Sequence, residues 1–178
     1  RGISNELIPN VYNLAVPPPP HASRRFELRK KVGLQETDPF ILQPTRVVSR
    51  KGIETAAELV KRLDYPKSSL VITHEAGDEG QEYLIRIEEF ARLIGVDLKM
   101  ISDRIGFERG ADENGNKIYT LWDAYLNADL VVYPSLYEGY GNAFVEAVYC
   151  KKSIVVNRYS IYVADIETKG FDVIAFDG

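Results

Sequence analysis

The sequence predicts a layered α/β domain, three layers deep, around a mainly parallel sheet of about six strands. Two observations carry this expectation. Short, almost uninterrupted apolar runs recur along the chain, and a strand without polar alternation is one buried on both faces. Each run is followed by a stretch whose apolar residues recur at helical spacing, and strand–helix alternation of this kind builds a Rossmann-like sheet covered on both sides. At 178 residues the chain has the length of one such domain with a real core.

Residues 1–38 are expected to form an interdomain linker and lead-in segment, and residues 39–178 the Rossmann-like domain. Pro17, Pro18, Pro19 and Pro20 make a stiff, extended segment. The basic run Arg24, Arg25, Arg29, Lys30 and Lys31, interleaved with Phe26, Leu28 and Val32, reads as a short surface helix ended by Gly33. A solvated face is preferred for its charges over a phosphate contact.

Residues 40–44 read as the first strand, and Ile53, Ala56, Ala57, Val60 and Leu63 then fall on one helical face. Residues 68–73 are the second strand, followed by a helix with Tyr83, Leu84, Ile87, Phe90, Ala91 and Ile94 inward; 96–101 are the third. Residues 106–117 are polar and glycine-rich with an Asn114-Gly115 turn signal, which suggests an excursion in the form of a small hairpin. Thr120 and Asp123 offer a capped start for a helix through Leu121, Tyr125 and Ala128. Strands over 130–133, 153–157 and 171–176 complete the set. In such sheets ligands sit beyond the carboxyl ends of the strands, where strand order reverses. The weight of function therefore falls on 45–52, 74–80, 101–106, 134–141 and 157–164.

Composition narrows the classes. The chain is 45% hydrophobic and 27% charged, with a net charge of −4, so wholesale nucleic-acid binding is not expected and any phosphate site must be local. No apolar run approaches the roughly 20 residues of a membrane span. A single cysteine, Cys150, rules out an intramolecular disulfide framework and fits a reducing, cytoplasmic location. No signal peptide is read. A start at Arg1 and an end at Gly178, just after an apparent strand, suggest a piece of a larger protein.

The stretch from Tyr133 to Glu146 is the strongest candidate for chemistry. A strand ends at Tyr133, Pro134 stops it, and a helix begins near Ala143, with Gly139 and Gly141 in the turn between. Such a turn points the first N–H groups of the helix outward, and glycine lets an anion approach the backbone. Glu138 and Glu146 flank it with seven residues between them. An anion cradle beside two carboxylates suits a ligand with phosphates at one end and hydroxyls at the other, such as a nucleotide sugar. Glutamates near a helix start also complement its dipole, so this segment alone leaves both readings open.

Arg46 and Lys51 bracket the turn after the first strand, and both could reach one diphosphate; taken by itself, that turn favours an ordinary pair of surface cations. His74-Glu75 at the second strand end lacks the spacing of a metal site and reads as a hydrogen-bonded rim histidine. Ser135 lacks the setting of a nucleophile elbow, and the G-x-G-x-x-G of a dehydrogenase is absent after the first strand.

Taken together, these residues resemble the C-terminal, donor-binding domain of the retaining, nucleotide-sugar-dependent glycosyltransferases of group 1, the glycogen-synthase-like type, whose fold is GT-B. The resemblance covers most of the chain from about Phe40 to Gly178, with Ile8-Pro9-Asn10-Val11 to Pro20 similar to the lead-in strand and linker. It rests on Arg46, Lys51 and Gly52, on Ala128 to Ser135 leading into Glu138, Gly139, Gly141 and Glu146, and on Ser153 to Val156 as the next strand. It implies that Arg46 and Lys51 bind the donor diphosphate, that Glu138 contacts hydroxyls of the transferred sugar and Glu146 the ribose. The amides of Gly141, Asn142 and Ala143 would meet a phosphate, and the stretch around Ile101 would line the base.

The implied activity is a hexosyl transfer in carbohydrate biosynthesis, from a nucleoside-diphosphate sugar to an acceptor, with retention and without a metal or other cofactor. The implied partners are the nucleotide-sugar donor, an acceptor, and an N-terminal domain of the same protein. Without that domain the piece is expected to bind donor weakly and catalyse little. Cys150-Lys151-Lys152-Ser153 stand where the family usually has a glycine and a proline, and the 107–119 excursion is longer than usual. A GT-B nucleotide-sugar epimerase and a non-catalytic nucleotide-binding module are the alternatives.

Overall fold

The computed structural model describes residues 25–76 and 80–178. The expected linker with its four prolines, His21 and Arg24 lies outside the described residues, as do residues 77–79 of the second strand-end segment.

Six strands form one parallel sheet: β1 (Phe40–Gln43), β2 (Ser69–Ile72), β3 (Asp97–Met100), β7 (Leu130–Tyr133), β8 (Ile154–Asn157) and β9 (Ile174–Phe176). Their spatial order is β3-β2-β1-β7-β8-β9. The chain builds outward from β1 through β2 to β3, then returns to the other side of β1 with β7 and builds the opposite way. Strand order therefore reverses between β1 and β7, and the crevice beyond their carboxyl ends is the place where such a sheet takes a ligand.

Both faces are covered because successive side chains of each strand point to opposite sides. Phe40, Leu42, Val131, Tyr133, Ile154 and Val156 enter one buried cluster, while Ile41, Val132 and Val155 enter the other. The second cluster is closed by helices α2 (Ile53–Leu63) and α3 (Gly80–Ile94) through Ile53, Ala56, Ala57, Val60, Tyr83, Ile87 and Ala91. The first is closed by α4 (Leu121–Asn127) and α5 (Asn142–Tyr149) through Ala124, Tyr125, Ala143, Phe144 and Ala147. Leu63, expected on the inward face of α2, ends that helix half-exposed, because Asp64 turns into the left-handed region immediately after it.

The 106–117 excursion contains a hairpin. Strand β5 (Gly110–Ala111) runs antiparallel to β6 (Lys117–Thr120), and β6 also takes β4 (Ile105–Gly106) alongside in parallel. The Asp112 carboxylate accepts from the amides of Asn114 and Asn116 at 2.9 and 2.7 Å, which ties the turn. The start of α4 is a capping box: Asp123 N donates to Thr120 Oγ1 at 3.4 Å and Thr120 N to Asp123 Oδ2 at 2.9 Å.

Two expectations for the lead-in segment need correction. Helix α1 (Arg25–Lys31) forms, but Leu28 and Leu34 are buried in the same cluster as β1, so the domain's packing begins before residue 39. Arg29, expected on a solvated face, is 1% exposed. Its Nη1 donates to Asp38 O and its Nη2 to Asn127 O and Asp129 Oδ2, all at 2.6 Å, while Asp129 Oδ2 accepts from Phe40 N at 2.8 Å. A guanidinium that fills carbonyls on both sides of β1 joins α1 to the end of α4. Arg29 is tolerated inside because its guanidinium is paired there with a carboxylate and with backbone carbonyls.

Candidate functional site

Two strand-to-helix corners meet at the point where strand order reverses. After β1 the chain makes a single 3-10 turn, Ser49–Lys51, and enters α2 through Gly52. Buried Gln43 fixes that turn, donating from Nε2 to Lys51 O at 2.9 Å. Gly52 has φ +63°, and a Cβ there would lie 2.4 Å from Pro134 O. Only glycine therefore lets the first corner lie directly against the second. The same contact is tied by Leu136 N donating to Arg50 O at 2.9 Å.

In the second corner Gly141 has φ +87° and opens α5; a Cβ there would meet the hydroxyl of Tyr159 at 2.6 Å. Glycine is required at 141 by backbone and space alike. Gly139 differs: a Cβ there would meet nothing within 4 Å, so its surroundings leave open room beside the backbone. Asn157 Nδ2 donates to Ser135 O at 3.0 Å and holds the intervening loop to β8.

The corners enclose a cavity of about 410 Å³. Arg46, Arg50 and Lys51 line it from the first corner, and Glu138, Gly139, Gly141, Asn142, Ala143 and Glu146 from the second. His74 contributes from the end of β2 and Leu121 from the start of α4. A second hollow of about 230 Å³ beside Glu27, Arg109 and Lys117 lies apart from these residues.

Within the cavity Lys51 Nζ donates to Glu138 Oε1, and Arg50 Nη1 lies 3.2 Å from the same oxygen. Lys51 also stands 5.8 Å from the centroid of the Tyr133 ring. Burial alone would raise the Glu138 carboxyl, but the hydrogen bond and charge of Lys51, the Ser135 hydroxyl and Arg50 outweigh it, leaving the group below the usual carboxylate range. Burial lowers the Lys51 ammonium, with Glu138 opposing and Arg50 and Arg46 adding to the fall. Burial, with the Glu138 carboxylate nearby, pushes the Tyr133 phenol well above its ordinary value. Glu146 accepts from Tyr125 OH at 2.8 Å, which sets its carboxylate on the cavity side of α5.

Most of the expected residues are thus together: Arg46, Lys51, Glu138, Gly139, Gly141, Asn142, Ala143 and Glu146 share one cavity. Ile101 is placed otherwise. Its side chain is 2% exposed within the sheet-face cluster and is absent from the cavity lining. Arg50, Thr45, Tyr133, Tyr140 and Leu121 also line the cavity; four of them fall in the stretches 45–52 and 133–146 weighted for function, but the sequence assigns none of the five a ligand contact. The signal for Arg50 is the Arg50-Lys51 dipeptide: a tight 3-10 turn presents both to one opening, which helical periodicity does not reveal. Cys150 is buried, and that burial pushes its thiol up to about 11. Among the described residues, no group of three or more His, Cys, Asp and Glu is arranged to hold a metal, and no helix is long and apolar enough to cross a membrane.

Fold and cavity define a Rossmann-like α/β domain with a cavity at its strand reversal, the place where sheets of this class take ligands. Residues 114–176 match the family described as glycosyl transferases group 1. Two proteins named mannosylglucosylglycerate synthase are similar. That of Petrotoga mobilis is 29% identical over 98% of this chain and 44% of its own length, and that of Thermotoga maritima 28% identical over 98% and 42%. The chain thus spans under half the length of these curated relatives. Among solved structures, Anabaena HepE in complex with UDP-glucose superposes with a TM-score of 0.68 at 18% identity, over 88% of this chain and 39% of that one. The C-terminal domain of the group 1 glycosyl transferase LpcC from Francisella tularensis gives 0.64 at 20% identity, over 94% and 80%. These two superpositions bear on the fold.

Proposed function

We propose that this chain is the donor-binding part of a retaining glycosyltransferase that moves a sugar from a nucleoside-diphosphate sugar to an acceptor. One observation carries the proposal: three cations, two carboxylates and the first turn of α5 face a single cavity. Arg46 and Lys51 hold the diphosphate, joined by Arg50. The amides of Gly141, Asn142 and Ala143 meet a phosphate oxygen, where the dipole of α5 favours negative charge. Glu138 contacts hydroxyls of the sugar, and Glu146 contacts the ribose.

As the glycosidic bond breaks, its electron pair goes to the diphosphate and positive charge develops on the sugar ring. The proposal assigns stabilisation of the leaving group to Arg46, Arg50 and Lys51, with no metal among the participants. Glu138 starts out bound to Lys51, so an arriving diphosphate competes for that lysine and frees the carboxylate for the sugar. The acceptor and the groups that complete catalysis come from a further domain. The names of the curated relatives support a hexose as the transferred unit and a glycosylated glycerate as the acceptor.

Calorimetric titration of the chain with UDP, GDP and ADP tests this. At least one nucleotide is expected to bind, with Arg46→Ala and Lys51→Ala each weakening it about tenfold or more. Absence of binding to all three, or variants that bind as tightly as the unaltered chain, would contradict the assignment.

A further inference from the structure

His74, just past the end of β2, lines this cavity. Strand β2 pairs with β1 in the register Ile72 to Gln43, so the residues just past β2 run beside those just past β1. That proximity is locked by Val47 N donating to Glu75 O at 3.1 Å and by a parallel bridge between Val47 and Ala76. His74 is thereby held alongside Thr45 and Arg46, and it lines the cavity with them.

One nitrogen of the ring is already engaged. Its Nδ1 lies 2.8 Å from Thr73 Oγ1, and Nε2 has no hydrogen-bond partner among the described residues. With the Thr73 hydroxyl donating to Nδ1, the neutral imidazole carries its proton on Nε2, the nitrogen left for a ligand. Burial favours the neutral form and lowers the pKa from the ordinary histidine value. Of the charged groups around the ring, Glu146 on α5 favours protonation, whereas Lys51 on the 3-10 turn and Arg46 after β1 oppose it. An anion placed between those two cations would cancel their opposition and stabilise the imidazolium.

We propose that His74 is a ligand-contact residue of this cavity, donating Nε2–H to an anionic oxygen of a diphosphate held by Arg46 and Lys51, and taking up a proton from solvent as that anion arrives. Donor binding is then linked to pH through a residue just past the end of β2. The inference rests on the donor-site reading above.

The experiment titrates the chain with UDP-glucose, GDP-mannose and ADP-glucose at about pH 6 and pH 8. Sugar nucleotides are suitable probes because their diphosphate diester has no proton to gain or lose in that range, so a pH dependence belongs to the protein. The best-bound probe is expected to bind about fivefold more tightly at the lower pH, with net proton uptake when calorimetry is repeated in buffers of different ionisation enthalpy. His74→Gln, which keeps a donor but not the charge, should abolish both effects while circular dichroism remains unchanged. Because the chain has only two histidines, His74 is also assignable in the NMR spectrum by the resonance lost in that variant, and its titration should move to higher pH on binding. Equal affinity at both pH values, or a pH dependence that survives in His74→Gln, overturns the role of His74 and leaves the donor site standing. No binding of any of the three probes overturns the donor site and this inference with it.

Discussion

Arg29 and Lys51 are both buried cations that reach a carboxylate from a distant segment, yet their surroundings give them opposite tasks. Arg29 directs its terminal nitrogens to three carbonyls and Asp129, and at 1% exposure it offers nothing to solvent. Lys51 shares the single Glu138 carboxylate with Arg50, beside Arg46, on the wall of an open cavity. Among the described lining residues, three cations and two carboxylates stand around that opening. Charge sealed by its partners acts as a strut, and a buried strut costs desolvation that its hydrogen bonds must offset; charge on a cavity wall borders space that a ligand can enter.

The comparison breaks first at Arg29. Truncation to alanine leaves the buried carbonyls of Asp38 and Asn127 without the guanidinium, and should lower stability by about 3 kcal/mol in urea unfolding while nucleotide affinity of the folded chain is unchanged. Gly52→Ala couples the two regions' roles, because its Cβ would strike Pro134 O and its φ is left-handed. A loss of about 2 kcal/mol together with weakened nucleotide binding is expected, since the corners must part. Lys51→Ala should show the reverse pattern from Arg29→Ala: weakened nucleotide binding with a stability change under about 1 kcal/mol, because Arg50 still pairs with Glu138. Thr120→Ala removes the cap of α4 and should cost about 1 kcal/mol with little effect on binding.

Acid sharpens the same contrast. Glu138 has a folded pKa below its unfolded value, so its contribution is present above the unfolded pKa and fades as pH falls through the folded one. Glu138→Gln should therefore flatten the acid limb of the stability profile, measured by thermal unfolding across that range. An unchanged limb would mean that the Lys51–Glu138 pair is not formed in solution.

Much of the architecture was legible because its signals are local. Apolar runs such as Leu130 to Tyr133, the spacing of Ile53, Ala56, Ala57 and Val60, and the Thr120–Asp123 cap each report their own neighbourhood. The convergence of Lys51 with Glu138 was legible only through the placement of strand ends at the reversal of order, together with a family resemblance. Arg29 was not legible. A basic run looks the same whether it faces water or lies over Phe40, and only the partners at Asn127 and Asp129, far along the chain, decide which. Arg50 escaped because adjacency in a 3-10 turn has no periodic signature, and Ile101 turned inward because its strand end is sealed by the cluster around Tyr119 and Tyr125.

Backbone amide NMR of the chain, titrated with UDP-glucose and GDP-mannose, tests the convergence of the two corners most directly. Resonances of Lys51 and Gly52 and those of Gly141, Asn142 and Ala143 should shift together and saturate with one dissociation constant. Shifts confined to one corner, or following two different saturation curves, would contradict a single diphosphate site shared by both.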